Sequence, residues 1–198
     1  MPMEIGKSMF TPFNEAVFER IEVRHSPFRH LFSENILNHE FLLRLQAVIA
    51  AISDEHFGKH ASGYRFAHYP DEDFIRFVYS QPFLQVIGRL FGRPVRPSKQ
   101  FFLPQVYIFP ENYRGLPPHT DASDKRDLAM IFYIAQGWDE RCGGELRVLN
   151  SDKSPYQVFS PVYNSMSCME LFEKSWHEVL PVKSSWIRKT LIIDFDYL

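Results

Sequence analysis

From Asn38 to Ser53, apolar side chains recur at Phe41, Leu42, Leu45, Val48, Ile49 and Ile52. That spacing of three and four puts them on one face of an α-helix, and Asn38 is a residue type that caps helix N-termini. A second helical pattern runs through DFIRFVYSQPFLQVIGRLFG, is interrupted near Pro82, and meets a stop signal in Gly92 and Pro94. From about Gln100 the period changes. Short β-rich runs follow one another (FFLPQVYIF, LAMIFYIA, GELRVLN, SMSCMELF, HEVLPV and TLIIDFDYL), separated by clusters of Pro, Gly, Asp and Asn. Several short strands behind a helical segment predict an α+β chain that is mainly β. The expected core is a two-sheet jelly roll, a double-stranded β-helix, with the N-terminal helices packed on one sheet. We expect one domain over residues 1–198, with a helical part at about 1–99 and a jelly-roll core at about 100–198.

Composition changes this picture little. A chain of 198 residues can bury a core without a covalent or metal staple. Aromatic residues reach 16%, with 19 Phe, which suits a thick core. The net charge of −2, without a long basic run, argues against a nucleic-acid partner, which would leave a basic footprint. The opening MPMEIGKSMF lacks the apolar run of a secretory signal, and no apolar stretch reaches the length of a membrane span. The expected location is therefore cytoplasmic, with Cys142 and Cys168 reduced.

The first candidate chemistry lies at Pro117-Pro118-His119-Thr120-Asp121. In an extended strand alternate side chains share a face, so His119 and Asp121 are expected to point together and Thr120 away. One imidazole and one carboxylate are half of a divalent-metal site; alone, they are more often just polar residues of a surface strand. His177, which opens HEVLPV, is the best third ligand. His25, His30, His39, His56, His60 and His68 all lie in the first third, where a solvated or capping role fits better. Two histidines and one carboxylate leave up to three positions on an octahedral iron, as non-haem Fe(II) oxygenases require. Further on, Arg188 and Thr190 are expected to share one strand face, with Lys189 opposite. A guanidinium fork with a hydroxyl beside it suits a dicarboxylate co-substrate. An exposed Arg-Lys pair on an edge strand explains the same residues about as well.

Taken in order, these stretches resemble the 2-oxoglutarate and Fe(II)-dependent oxygenases, particularly the prolyl 4-hydroxylase-like branch. The matching residues are His119-Thr120-Asp121, LAMIFYIAQGWDERCGGELRVLN, HEVLPV and RKTLIIDF, covering roughly Gln105 to Phe195. The resemblance implies that His119, Asp121 and His177 bind Fe(II) as the catalytic centre. It also implies that Arg188 pairs with the far carboxylate of 2-oxoglutarate, assisted by Thr190 and by the hydroxyl of Tyr133. The spacer from His177 to Arg188 is slightly longer than this branch leads one to expect, which leaves Lys189 as an alternative anchor. Arg188 is preferred, because Arg-x-Thr puts two groups on one face. The resemblance further implies O₂ as second co-substrate, admits ascorbate, and points to hydroxylation of an unactivated C–H bond with release of succinate and CO₂.

The expected substrate is a small molecule or an amino-acid or peptidyl group, free or tethered to a carrier protein. No membrane or nucleic-acid partner is expected. With no further substrate-binding domain in the chain, the small molecule is favoured. Its contacts are expected from Tyr107, Asn112, Tyr113, Arg114 and the loop from Ser151 to Tyr163. Two other classes compete: a cupin-type metal-binding jelly roll that needs no Arg188, and an alkylated-base repair oxygenase, against which the near-neutral charge counts.

Overall fold

The computed structural model describes residues 11–198, so the reading of MPMEIGKSMF lies outside the described residues. The helices are α1 (Glu15–Phe18), α2 (His39–Ala51), α3 (Glu72–Val78) and α4 (Gln81–Phe91). The strands in the first half are β1 (His30–Glu34), β2 (Gly58–Lys59), β3 (Arg65–His68) and β4 (Val95–Pro97). In the second half they are β5 (Gln105–Phe109), β6 (Leu116–His119), β7 (Leu128–Tyr133), β8 (Leu146–Leu149), β9 (Pro155–Phe159), β10 (Ser165–Glu170), β11 (His177–Val179) and β12 (Arg188–Tyr197).

The helices begin where their caps dictate. The Asn38 side chain accepts the amide of Phe41 at the head of α2, and Asp71 does the same for Phe74 in α3. The interruption near Pro82 is a break between two helices. Ser80 caps α4, and Pro82 sits in its first turn, where the missing N–H costs nothing. Gly92, at φ 73°, closes α4 in the left-handed conformation that favours glycine.

The strands form two antiparallel sheets. The larger runs β1-β10-β7-β12-β5-β3-β2, with β4 also paired to β12; the smaller runs β6-β11-β8-β9. This is the expected jelly roll, and helices pack on the outer face of its larger sheet. Alternation along β12 shows how the layers divide. Leu191, Ile193 and Phe195 meet Phe41, Phe74, Phe83 and Phe91 in the helix-side core, and each such ring stabilises the fold by about 1.5–3 kcal/mol on burial. Arg188, Thr190, Ile192 and Asp194 occupy the opposite face of the strand, toward the smaller sheet. Along β7, likewise, Met130 and Phe132 join the helix core while Ala129 and Ile131 pack with the smaller sheet.

Two features differ from expectation. The first 99 residues supply β1, β2, β3 and β4 as well as helices, and all four join the larger sheet. Strands of two to five residues are too short to show a period. The stretch from Ser151 to Tyr163 is not wholly loop: it contains β9, the edge strand of the smaller sheet, whose Tyr156 and Val158 face solvent.

Candidate active site

β6 ends at His119, and its antiparallel pairing with β11 sets His119 directly opposite His177. The two rings lie 4.3 Å apart between centroids. This approach needs a glycine at the entry to β6: Gly115 has φ 82°, and a Cβ there would stand 2.3 Å from the carbonyl oxygen of Val179. Each imidazole is oriented by the backbone. Nδ1 of His119 lies 2.7 Å from the carbonyl of Pro117, and Nδ1 of His177 lies 2.9 Å from that of Ser175. With Nδ1–H donating to those carbonyls, both Nε2 atoms are left as lone-pair donors.

Asp121 reaches the histidines by a different route from the one strand alternation predicted. The strand stops at His119, and Asp121 adopts φ 55°, ψ 10° at the head of a short 3₁₀ turn, Ala122–Asp124. Aspartate is one of the few non-glycine residues that tolerates this region, because its short side chain bonds locally. The turn brings the carboxylate back: Oδ1 lies 3.4 Å from Nε2 of His119, and Oδ2 lies 3.6 Å from Nε2 of His177. The three donor groups stand within 4.8 Å of one another, a spacing that could hold a metal ion.

The protonation states suit a cation. Burial works to raise the Asp121 carboxyl, but the neighbouring His177, the Arg126 guanidinium and His119 hold it well below the usual carboxylate range. Burial, and then the neighbouring His177, push His119 below the ordinary imidazole value. At neutral pH the pair is an ionised carboxylate beside a neutral imidazole, the donor forms that bind metal. Two imidazole nitrogens and one carboxylate, with positions left open, match the chemistry of a non-haem Fe(II) centre.

A second group of residues lies inside the same jelly roll. Arg188, only 2% exposed, donates through Nε to the carbonyl of Gly144 at 2.9 Å, and its guanidinium lies 4.6 Å from the Phe109 ring centroid. Gly144, at φ 78°, makes room for the arginine, since a Cβ there would stand 3.3 Å from Cδ of Arg188. Burial lowers the Arg188 pKa; Tyr133 and Tyr113 counter this, and no acidic side chain among the described residues does. Thr190 is paired across the sheet with Tyr133. Its buried hydroxyl has no hydrogen-bond partner, while the Tyr133 hydroxyl lies 3.0 Å from that of Ser167. Burial pushes the Tyr133 phenol up, and Arg188 draws it down. A buried guanidinium without a carboxylate, next to an orphaned hydroxyl, is costly unless an anion joins them. The residues therefore fit a ligand that ends in a carboxylate.

One cavity of about 520 Å³ connects the two groups. His119, Asp121, His177 and Arg188 all line it, with Tyr64, Phe66, Tyr107 and Phe109 as aromatic wall. Thr190 and Tyr133 are not on its wall. Lys189 occupies the opposite face of β12, in an outer groove with Trp186 and Ile187. Of the expected substrate contacts, Tyr107 lines the cavity; Asn112, Tyr113, Arg114 and residues 151–163 do not. One histidine departs from the solvated or capping role: His30 is buried in β1. His60 is exposed, as expected, but stands at the cavity wall with its ring stacked 4.4 Å from that of Tyr64.

Sequence reasoning missed Arg126 and Asp194. Arg126 bonds Asp121 Oδ2 at 2.8 Å and Asp194 Oδ1 at 2.6 Å. The two-residue period that put Arg188 and Thr190 on one face also puts Asp194 there, so that signal was present. No sequence signal marks His60.

The fold agrees with what known proteins show. The family profile described as the 2OG-Fe(II) oxygenase superfamily matches residues 104–194. No curated protein sequence matches the chain. Among solved structures, a prolyl-4-hydroxylase from Pseudomonas putida is similar, with a TM-score of 0.66 at 15% identity, covering 92% of this chain and 98% of that one. A 2OG-Fe(II) oxygenase family oxidoreductase from Burkholderia pseudomallei gives 0.65 at 15% identity, covering 84% of each chain. A prolyl hydroxylase from Trichoplax adhaerens, solved with a hypoxia inducible factor peptide fragment, gives 0.65 at 18% identity, covering 85% of this chain and 83% of that one. The profile spans β5 to the middle of β12, so this stretch of the chain is similar to the 2OG-Fe(II) oxygenase superfamily, and the jelly roll is shared with these enzymes.

Proposed function

We propose that this oxygenase hydroxylates an unactivated C–H bond of a small molecule or an amino-acid or peptidyl substrate, with His119, Asp121 and His177 as iron ligands. Fe(II), 2-oxoglutarate and O₂ are the reactants that the superfamily uses, and succinate and CO₂ are the expected co-products. The observation that carries the reading is the buried, carboxylate-free Arg188 lining the same cavity as the three metal-binding side chains. A cupin-type metal protein has no use for such an arginine, and this favours the oxygenase.

When bound, iron supplies the activation of O₂ that couples decarboxylation of 2-oxoglutarate to oxidation of the substrate. The chain does the rest. Arg188 binds the distal carboxylate and so fixes the co-substrate's orientation, with Tyr133 and Thr190 packed behind it. Lys189, turned outward, takes no part. The backbone carbonyls of Pro117 and Ser175 hold the imidazoles in the tautomer that presents Nε2. The aromatic wall of Tyr64, Phe66, Tyr107 and Phe109 excludes water and gives an apolar substrate a surface to lie on.

The confined cavity favours a small molecule or a single side chain. The peptide held by the Trichoplax adhaerens relative keeps a peptidyl group within the proposal. A nucleic-acid substrate is not favoured at a net charge of −2. The test is a screen for substrate-stimulated succinate formation with Fe(II), 2-oxoglutarate and ascorbate, across amino acids, peptides and carrier-bound amino acids. The expected result is stimulation by one class. Metal binding with neither affinity for 2-oxoglutarate nor succinate would support the cupin-type reading instead.

A further inference from the structure

Asp121 is the least secured of the three candidate ligands. His119 and His177 sit on paired strands, but Asp121 lies beyond the end of β6, on a turn at φ 55°. Its side chain needs an external hold, and Arg126 provides one. Nη2 of Arg126 donates to Asp121 Oδ2 at 2.8 Å and reaches Asp124 Oδ2 at 3.3 Å, while Nη1 donates to Asp194 Oδ1 at 2.6 Å. The Arg126 side chain is 9% exposed and that of Asp194 2%.

Asp194 supplies the rigid end. It lies within β12, which is hydrogen-bonded to β7 on one side and to β5 and β4 on the other. Asp194 is itself the register partner of Ala129 in β7. The backbone beside Arg126 is tied to the same strand, because the Asp127 amide donates to the Phe195 carbonyl at 3.0 Å. We propose that Asp194 and Arg126 are positioning residues: the guanidinium bridges the fixed Asp194 carboxylate to Asp121 and holds Asp121 aimed at the two histidines. One guanidinium against three carboxylates leaves a local charge of −2. A divalent cation at Asp121 balances it. The inference rests on the reading of Asp121 as a metal ligand.

A structural role alone would be to neutralise the buried Asp194, and the experiment separates the two. Co(II) alone is titrated into the full-length metal-free protein, and both its dissociation constant and its visible d–d absorption are read. Arg126→Gln is expected to weaken Co(II) binding by about 10–100-fold, the usual loss when a partner of a metal ligand is removed, and to change the d–d spectrum. Arg126→Lys keeps a charge but lacks a fork that spans both carboxylates, so it should remain weak. Because Arg126→Gln leaves Asp194 unpaired in the interior and can destabilise the fold, Arg126→Gln/Asp194→Asn removes both charges together. That double variant should regain thermal stability and still bind Co(II) weakly. Wild-type affinity and spectrum in the double variant would make the pair merely structural and overturn the inference, as would a wild-type result for Arg126→Lys. Asp121→Ala serves as the control: if it binds Co(II) like the wild type, the ligand reading itself fails; if it is weak while Arg126→Gln is not, only the inference fails.

Discussion

His119 and His177, 58 positions apart in the chain, are direct partners across the β6–β11 ladder, so the register of one strand pair sets the spacing of two candidate metal ligands. The close approach of the two strands leaves no room for a side chain at Gly115. Gly115→Ala would force a Cβ to within 2.3 Å of the Val179 carbonyl oxygen at a φ of 82°. We expect Gly115→Ala to lower the thermal midpoint and the Co(II) affinity together, whereas His177→Ala should abolish metal binding and turnover while leaving a folded domain. Full iron binding and activity in His177→Ala would place the third ligand elsewhere.

The co-substrate anchor gives a ranking. Arg188→Ala should weaken 2-oxoglutarate binding by on the order of 2–5 kcal/mol, the cost of truncating one side of a buried charge pair. Metal affinity should be largely spared. Lys189→Ala, on the outer face of β12, should change neither. A titration of 2-oxoglutarate into each metal-loaded variant reads this directly, and the reverse order would move the anchor to Lys189.

The different parts of the site were legible to different degrees, for physical reasons. β12 is a long central strand, so its two-residue period placed Arg188 and Thr190 on the inner face and Lys189 on the outer without further information. His119 and Asp121 were correctly grouped for a wrong reason: the strand ends between them, and a left-handed turn returns the carboxylate. The helix caps at Asn38 and Gly92 act within a few residues and could be read locally. The short strands β1, β3 and β4 exist because they complete the ladder of distant partners, β10, β5 and β12, with β2 added at the edge of β3, and that pairing is not written in their own residues. The same holds for His60, whose place at the cavity wall follows from the tertiary fold alone.

The buried Asp194 predicts a pH dependence of stability. Burial pushes its carboxyl up to about 6, with Arg126 pulling the other way. A carboxyl that titrates higher in the folded chain than its unfolded value of about 4 binds its proton more tightly when folded. Its contribution is therefore full below about pH 4 and is lost as pH rises toward 6. Asp121 has the opposite sign, and its contribution is lost only in more acidic solution, as pH falls below about 4. Thermal midpoints of metal-free wild type and Asp194→Asn, measured from pH 4 to 7, should differ in slope: the wild type should lose stability relative to the variant as pH rises through that window. Parallel curves would count against a raised Asp194.

Asp121→Gly tests what the carboxylate does for the reaction. Glycine suits the backbone at φ 55° better than aspartate, so the turn should form without strain and the variant should stay folded. Arg126 keeps its bond to Asp194, so no buried charge is left unpaired. What is lost is one ligand and one negative charge beside the two histidines. Metal affinity should fall, while Arg188 still holds 2-oxoglutarate, so that the co-substrate can still bind once metal is present in excess. With its geometry and charge balance altered, the centre should decarboxylate 2-oxoglutarate slowly and without passing the oxidation to the substrate. We therefore expect residual succinate with little hydroxylated product, measured as the ratio of the two under saturating metal. A ratio near one to one, as in coupled turnover, would be incompatible with Asp121 as an iron ligand; two histidines alone are too few to sustain the proposed centre.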